Sequence, residues 1–406
     1  MISYLKGLYR EPWFFWLLVG FISNQASVNL LRPVVSYKAL RMGVDPATLG
    51  ALSAVYSFAP LLIALRIGRL VDEKGEKPFI VGGSLIMAVA GLGMALSDSP
   101  PLLYLWYAGL GLGQIIAVVA VQGMVARGAD DSRYDARFAA FSFSASIGQG
   151  LGPAIGGILV GAGTLPEISF ALLVGAFIAM LILPAAALMR PPASKRQSAV
   201  KEAGTNAAPS LMQILRTPGI FRAILVSTTI LSSIDILIIY LPALGDERGW
   251  AASLVGSLLA VRALSTMGMR VFLARLSARY GRAPLLKGSM ALAAVALVLL
   301  AIVDVVPIQF VIMVAAGAGL GIGQPLTMSW VASVAAPGTR ATALAVRLMG
   351  NRVGQVALPV AAGSFAAVSG AAGVIGVTGL VIAASLAGVA GGLSGTTRTE
   401  PLPPAG

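Results

Sequence analysis

The feature that most constrains this chain is a succession of apolar runs, each long enough to cross a hydrocarbon layer as a helix. A crossing helix needs about 20 apolar residues. Runs of that kind lie at 13–36, 48–68, 79–97, 102–126, 138–161 and 168–189, then at 219–243, 251–273, 285–303, 306–333, 341–366 and 371–393. A barrel strand would need only about 10 residues of alternating polarity, and these runs do not alternate. Only 11% of the 406 residues are charged, against about 25% in soluble domains. Mean hydropathy is +0.87, so the sequence anticipates lipid as its solvent. The first run follows Lys6 and Arg10 but is too long for a secretory signal and leads to no small-residue cleavage site, so it reads as a retained helix.

The remaining charges give an orientation. If the N-terminus is cytoplasmic, the outer loops hold only Lys38, Arg41 and Arg248, while Lys74, Lys77, Arg133, Arg137, Lys195, Arg275, Arg282 and most other cations fall inside. Cytoplasmic loops carry such an excess, which predicts both termini in the cytoplasm of a bacterial inner (plasma) membrane. The net charge of +13 is dispersed among short loops, so it argues for membrane orientation and against a nucleic-acid partner. Cysteine and histidine are absent, which removes disulfides, thiolate chemistry and imidazole metal sites. No metal and no cofactor is expected, and any proton carrier must be a carboxylate. Without convergent nucleophile, base or metal ligands an enzyme is not anticipated. No G-x-x-x-x-G-K-[ST] loop is present to bind ATP.

The chain repeats itself. A shift of 206 residues lays Pro12 on Pro218, Gly43 on Gly249, Gly50 on Gly256, Gly75 on Gly281 and Pro78 on Pro284, and later Gly148 on Gly354, Gln149 on Gln355, Pro153 on Pro359 and Gly157 on Gly363. GLGLGQ at 109–114 matches GLGIGQ at 319–324 at a shifted offset of 210, read as one small compensated indel that makes Gln114 and Gln324 mates. Six-helix repeats of this kind characterise carriers whose halves rock about a central site. The expected division is a first bundle at 1–189, a cytoplasmic linker at 190–217, a second bundle at 218–393 and a disordered tail at 394–406.

Two motifs carry a family resemblance over nearly the whole chain. GRLVDEKGEKP, with Gly68, Leu70, Asp72, Gly75 and Lys77, resembles the loop motif of the major facilitator superfamily, and ARLSARYGRAP at 274–284 resembles its second-half counterpart. GQGLGPAIGG, with Gly148, Gly152, Pro153, Gly156 and Gly157, resembles the fifth-helix motif of that superfamily's antiporter branches. The resemblance implies an all-α membrane protein with twelve transmembrane helices in two pseudo-symmetric six-helix bundles, working as a monomer on a small-molecule substrate. It implies that Asp72 latches the first half to the region of Arg340 and Ala341, with Arg127 nearby, and that the direction is export. The chain departs from the family pattern at Glu73 and Glu76, where basic residues are usual, and at Leu105, where proton-coupled drug exporters often carry arginine.

Charges within the runs point to a site, because an ionisable group in mid-membrane normally faces a cavity or a partner. Asp235 is the only acidic residue well inside a run, and its repeat mate is Asn29. Asp235 is the candidate for proton or ion coupling, with a fixed pair to Arg262 as the alternative. Arg347, Asn351 and Gln355 share one helix face at four-residue spacing, with Arg352 beside them. With Asn29, Arg32, Arg262, Gln114 and Gln324 these residues are expected to line a substrate cavity, and its arginines outnumber the single Asp235, which favours an anionic or amphiphilic solute. Arg32 stands near the outer end of its run, where snorkelling to the headgroups is the alternative, and Arg347 likewise near the inner end, which leaves Arg262 and Arg352 as the better substrate candidates. Trp13, Phe14, Phe15 and Trp16, and Tyr104, Trp106 and Tyr107, read as interfacial belts, while Tyr56 aligns with Arg262. The expectation is a secondary transporter, proton-coupled and exporting. Uptake of an organic anion by symport is the alternative, and a non-transporting receptor stands behind both.

Overall fold

The computed structural model describes residues 11–126, 131–161, 163–189, 211–335 and 340–390. All regular structure among them is helical. The elements are α1 Pro12–Arg41, α2 Pro46–Lys74, α3 Glu76–Leu96, α4 Pro100–Ala126, α5 Asp131–Val160, α6 Leu165–Met180, α7 Ile182–Leu188, α8 Leu211–Arg216, α9 Ile220–Glu247, α10 Ala252–Tyr280, α11 Arg282–Ile302, α12 Val306–Gly321, α13 Gly323–Val334 and α14 Arg340–Ala390. Breaks at Leu181 and Ile322 divide two of the apolar runs into α6–α7 and α12–α13. Among the described residues eleven stretches are long and apolar enough to cross a membrane, where the sequence suggested twelve. The difference lies in α14, which carries the last two runs through Gly370 (φ 63, ψ −169) with no polar loop between them. A single glycine in the left-handed half of φ space bends the chain there without needing a longer connection.

The other connections are equally short. Gly75 (φ 84) ends α2 and begins α3, and Gly281 (φ 79) does the same between α10 and α11, so the repeat reproduces a one-residue turn. Asp45 caps α2 by accepting from the Thr48 amide at 2.9 Å. Arg248 covers the open carbonyls at the end of α11, donating to Leu300 (3.3 Å), Ala301 (2.5 Å) and Val303 (2.9 Å). The expected linker is in part helical: Leu211–Arg216 forms α8. Residues 190–210 of the linker and the tail at 394–406 lie outside the described residues.

Burial sets the helices in order. The apolar windows of α1 and α9 are 72% and 78% buried, while the other nine range from 39% to 56%, so the two repeat-related helices are the inner pair. Large apolar side chains cover the outside, among them Val368 (91% exposed), Ile158 and Ile302. An apolar exterior of this kind, on helices long enough to cross a bilayer, is what a membrane-facing surface presents.

Backbone contacts recur at the sequence offset. A side chain at Gly111 would collide with the Tyr56 carbonyl, and one at Gly317 with the Arg262 carbonyl. A Cβ on Gly113 would lie 2.5 Å from the Gly83 carbonyl oxygen, and one on Gly319 2.6 Å from that of Ser289. These contacts hold α4 and α12 at 206 throughout, which corrects the indel: Gln114 is equivalent to Leu320, and not to Gln324. In a glycine-rich helix a string match slides by about one turn, four residues, with little change of face, and the sequence match followed the string. Two further contacts join one repeat to the other. Gly50 of α2 meets the backbone of Pro359 and Gly363 in α14, and Gly256 of α10 meets that of Pro153 and Gly157 in α5.

The aromatic belts need correction. Trp13 and Phe14 are buried, with the Arg137 guanidinium 5.3 and 5.6 Å from their ring centres, and Arg137 is paired at 2.7 Å with Glu11. Of that cluster Phe15 is exposed. Tyr107 is fully buried. It stands seven residues inward from Pro100, about 10 Å along the helix, which is deeper than headgroup level.

Candidate functional site

The site grows from the inner pair. Arg32 on α1 and Asp235 on α9 are both buried, and Arg32 Nη2 donates to Asp235 Oδ1 at 2.7 Å. The sequence alternatives were a snorkelling Arg32 and a pair between Asp235 and Arg262; the structure has neither. Arg32 lies one turn from Asn29, the mate of Asp235, and α1 packs against α9. The side chain is thereby turned inward, toward the only buried acid among the described residues. Tyr56 of α2 lies beneath the guanidinium, 4.4 Å from ring centre to Cζ, and Tyr107 of α4 accepts from Arg32 Nε at 3.4 Å. The two tyrosine rings are 5.3 Å apart.

On the other side of the carboxylate, Gln355 Nε2 of α14 donates to Asp235 Oδ2 at 2.5 Å, and Gln355 Oε1 accepts from Arg352 Nη1 at 3.1 Å. A continuous chain of polar groups, Tyr107–Arg32–Asp235–Gln355–Arg352, therefore runs from the first repeat into the second. An ion pair so buried contributes little net stability, yet removing one partner costs about 3–5 kcal/mol because the other charge is left uncompensated.

Other anticipated residues lie outside this chain of hydrogen bonds. Arg347 is buried rather than at an interface, and its Nη2 donates to the Gln324 carbonyl (3.0 Å), Gln324 Oε1 (2.7 Å) and Thr327 Oγ1 (2.9 Å). Gln324 Nε2 donates to the Ser227 carbonyl at 2.8 Å, and Asn351 Oδ1 accepts from Thr228 at 3.2 Å. These groups tie α9, α13 and α14 together in a second polar cluster within one half. Asn29 donates to the Gln25 carbonyl of its own helix at 2.8 Å, and the Gln114 Oε1 atom is buried without a partner among the described residues. Arg262 is buried on α10 within electrostatic reach of Asp235 and Arg32.

The fifth-helix motif forms a seam. Gly148, Gly152 and Gly156 face α1: added Cβ atoms would lie 2.5 Å from Gln25 Cβ, 2.8 Å from the Leu30 amide and 3.2 Å from Leu30 Cγ. Gly157 faces α10, where its Cβ would be 2.9 Å from Gly256 Cα. Of the latch, Gly68 has open space around it and Gly75 makes the turn. Arg127 and the side chain of Asp72 lie outside the described residues. Leu105 is 63% exposed on α4 and so points away from the site.

Sequence reasoning placed Tyr107 in a belt and did not join it to Arg32. Its depth below Pro100 is the signal that would have separated it from Tyr104. Tyr56 was marked only by its alignment with Arg262.

The geometry agrees with what the chain resembles. The model of the Major Facilitator Superfamily matches residues 17–359 and again 225–405. A gentisate transporter of Corynebacterium glutamicum is 26% identical over 362 residues, covering 86% of this chain and 79% of the relative. The nucleoside transporter NupG, solved as a point mutant, superposes with a TM-score of 0.75 at 14% identity over 93% of this chain and 99% of NupG. A bacterial homologue of the human lysosomal transporter Spinster, solved inward-facing and unoccupied, superposes with a TM-score of 0.69 at 14% identity over 94% and 95%. With the family model spanning most of its length and the all-helical fold shared with these carriers, this multi-pass membrane protein belongs to the Major Facilitator Superfamily of transporters.

Proposed function

We propose that the protein moves a small organic anion together with a proton, by alternating access between two six-helix bundles at about 1–189 and 218–393 joined by the 190–217 linker. The observation that carries this reading is the Arg32–Asp235 pair across α1 and α9. Protonating Asp235 removes its claim on Arg32 and leaves a buried cation facing the site. An arriving anion then meets an attractive guanidinium instead of a neutral pair, so proton and anion strengthen each other's binding. Reciprocity makes that coupling symmetric. For unit charges about 6 Å apart at an effective dielectric near 20 it is about 3 kcal/mol, or roughly two decades in affinity. A cationic solute would compete with the proton for Asp235, which is the logic of exchange. Cooperation between anion and proton is the logic of symport, and uptake follows the inward proton gradient. The gentisate transporter among the relatives supports a carboxylate solute.

Export was the expectation from GQGLGPAIGG and is the second reading. The packing of that motif against α1 and α10 serves a kinked seam in either direction. A 51-residue α14 would reach about 77 Å at 1.5 Å per residue, far beyond one hydrocarbon layer of about 30 Å. We therefore count it as two crossings, twelve in all, with both termini cytoplasmic, the Gly43 end outside and the inner membrane as the location. The Asp72 latch to the start of α14 belongs to the same reading, with the monomer as the working unit.

The test is transport by the purified chain in proteoliposomes with labelled benzoate, gentisate or succinate. An inward proton gradient should drive accumulation of at least one of them, and Asp235→Asn should abolish that drive while exchange without a gradient persists. Accumulation only against the proton gradient, or unchanged pH dependence in the variant, overturns the reading.

A further inference from the structure

We propose that Arg262 holds the carboxylate of the transported anion, on a guanidinium separate from the one that Asp235 engages. This deepens the proton–anion reading and rests on it. Four arginines are buried among the described residues: Arg32, Arg137, Arg262 and Arg347. Three have acceptors: Arg32 in Asp235, Arg137 in Glu11, and Arg347 in Gln324 and Thr327. Arg270, further along α10 and only partly buried, still donates to the Gly321 carbonyl at 3.2 Å and Ser146 at 3.5 Å. Arg262 is 5% exposed and has no acceptor among the described residues, its Nε being enclosed without a partner. A buried guanidinium in a low-dielectric setting needs an anion, and a carboxylate matches its planar fork with two parallel hydrogen bonds.

Position supports the assignment independently of the missing partner. The Arg262 carbonyl is closely opposed to Gly317 of α12, which fixes this point of α10. Its mate 206 residues earlier, Tyr56, already lies in the site beneath Arg32, so Arg262 holds the corresponding place in the second half. Arg270, Arg32 and Asp235 are all within its electrostatic reach, so cations outnumber acids around it. Arg262 is positive whether or not Asp235 is protonated, and it therefore serves as the constant anchor. Arg32 becomes a second arm only when Asp235 takes the proton. Two arms of this kind fit a small organic acid that carries one carboxylate and a second oxygen acceptor, as a hydroxybenzoate does.

The experiment measures binding of gentisate and its uncharged methyl ester to the purified full-length protein at pH 5.5 and 8, in wild type, Arg262→Gln, Arg262→Lys and Asp235→Asn. Arg262→Gln should weaken gentisate at least fivefold, by the same factor at both pH values, and leave the ester unchanged. Arg262→Lys should recover part of that loss, and Asp235→Asn should remove the pH dependence. If Arg262→Gln does not survive purification, Arg262→Lys carries the test, with gentisate weakened at least twofold and the ester unaffected. Less than these losses, or a loss at only one pH, overturns the anchor and leaves the transport reading standing. Failure of wild type to bind gentisate at either pH overturns the anchor, and the proton-driven accumulation assay on benzoate, gentisate and succinate then decides separately whether the transport reading stands.

Discussion

Replacing Gly256 with alanine tests whether contacts between the repeats hold one end of the molecule shut. The new Cβ would lie 2.9 Å from Gly157 Cα and closer still to the Pro153 carbonyl oxygen. Carbon atoms settle at about 3.5–4.0 Å, so α10 and α5 must part by roughly 0.6–1 Å at this crossing. Overpacking of this severity costs about 1–3 kcal/mol. If the contact exists only while the Gly43 end is closed, the whole cost falls on that state and shifts the conformational balance about 5- to 150-fold. Gly50→Ala against Pro359 and Gly363 is the repeat-related perturbation. Gly83→Ala, facing Gly113 within one repeat, should burden both states alike. The chain has no cysteine, so spin labels at Val44→Cys and Ala251→Cys can report the distance across that end directly. Gly256→Ala should enlarge the long-distance population, whereas Gly83→Ala should lower the melting temperature without doing so. A distance distribution in Gly256→Ala that matches wild type would refute the reasoning.

Two further outcomes follow from local geometry. Arg32→Gln leaves Asp235 buried with Gln355 as its remaining partner and should lower stability by about 3–5 kcal/mol; the Arg32→Gln/Asp235→Asn double variant should regain most of it, and thermal unfolding of all three completes the cycle. Arg248→Ala removes three donors from the end of α11. At about 0.5–1.5 kcal/mol per bond it should reduce the melting temperature clearly, while Arg41→Ala, which loses an exposed pair with Asp246 and one bond to the Gly163 carbonyl, should reduce it less.

Much of the fold was legible because the bilayer imposes its length on every crossing. Apolar runs gave the helices, and the 206-residue offset marked Gly50 with Gly256 and Pro153 with Pro359 as equivalent positions; that Gly50 meets Pro359 and Gly256 meets Pro153 was decided only by the packing. The break at Gly370 falls in the gap left between the runs 341–366 and 371–393; that one glycine makes it with no polar loop was less legible, since small residues flank it on both sides. Of the site, Asp235, Arg32 and Gln355 were legible as polar groups in the wrong solvent. Their partners were not, because pairing depends on helix rotation, which composition does not encode. Tyr107 was misread for the same reason, as was the alignment of Gln114 with Gln324, where four residues in a glycine-rich helix return nearly to the same face.

The sequence by itself determined that the chain is helical, lies in lipid and is built twice, since each of these follows from hydropathy, length and repetition along one dimension. Only the tertiary structure decided that Arg32 pairs with Asp235, that Arg347 turns to Gln324, and that Arg262 is left without an acceptor among the described residues. The physical reason is that burial leaves each charge a choice among neighbours from other helices, and close glycine contacts between backbones fix which neighbours come within reach.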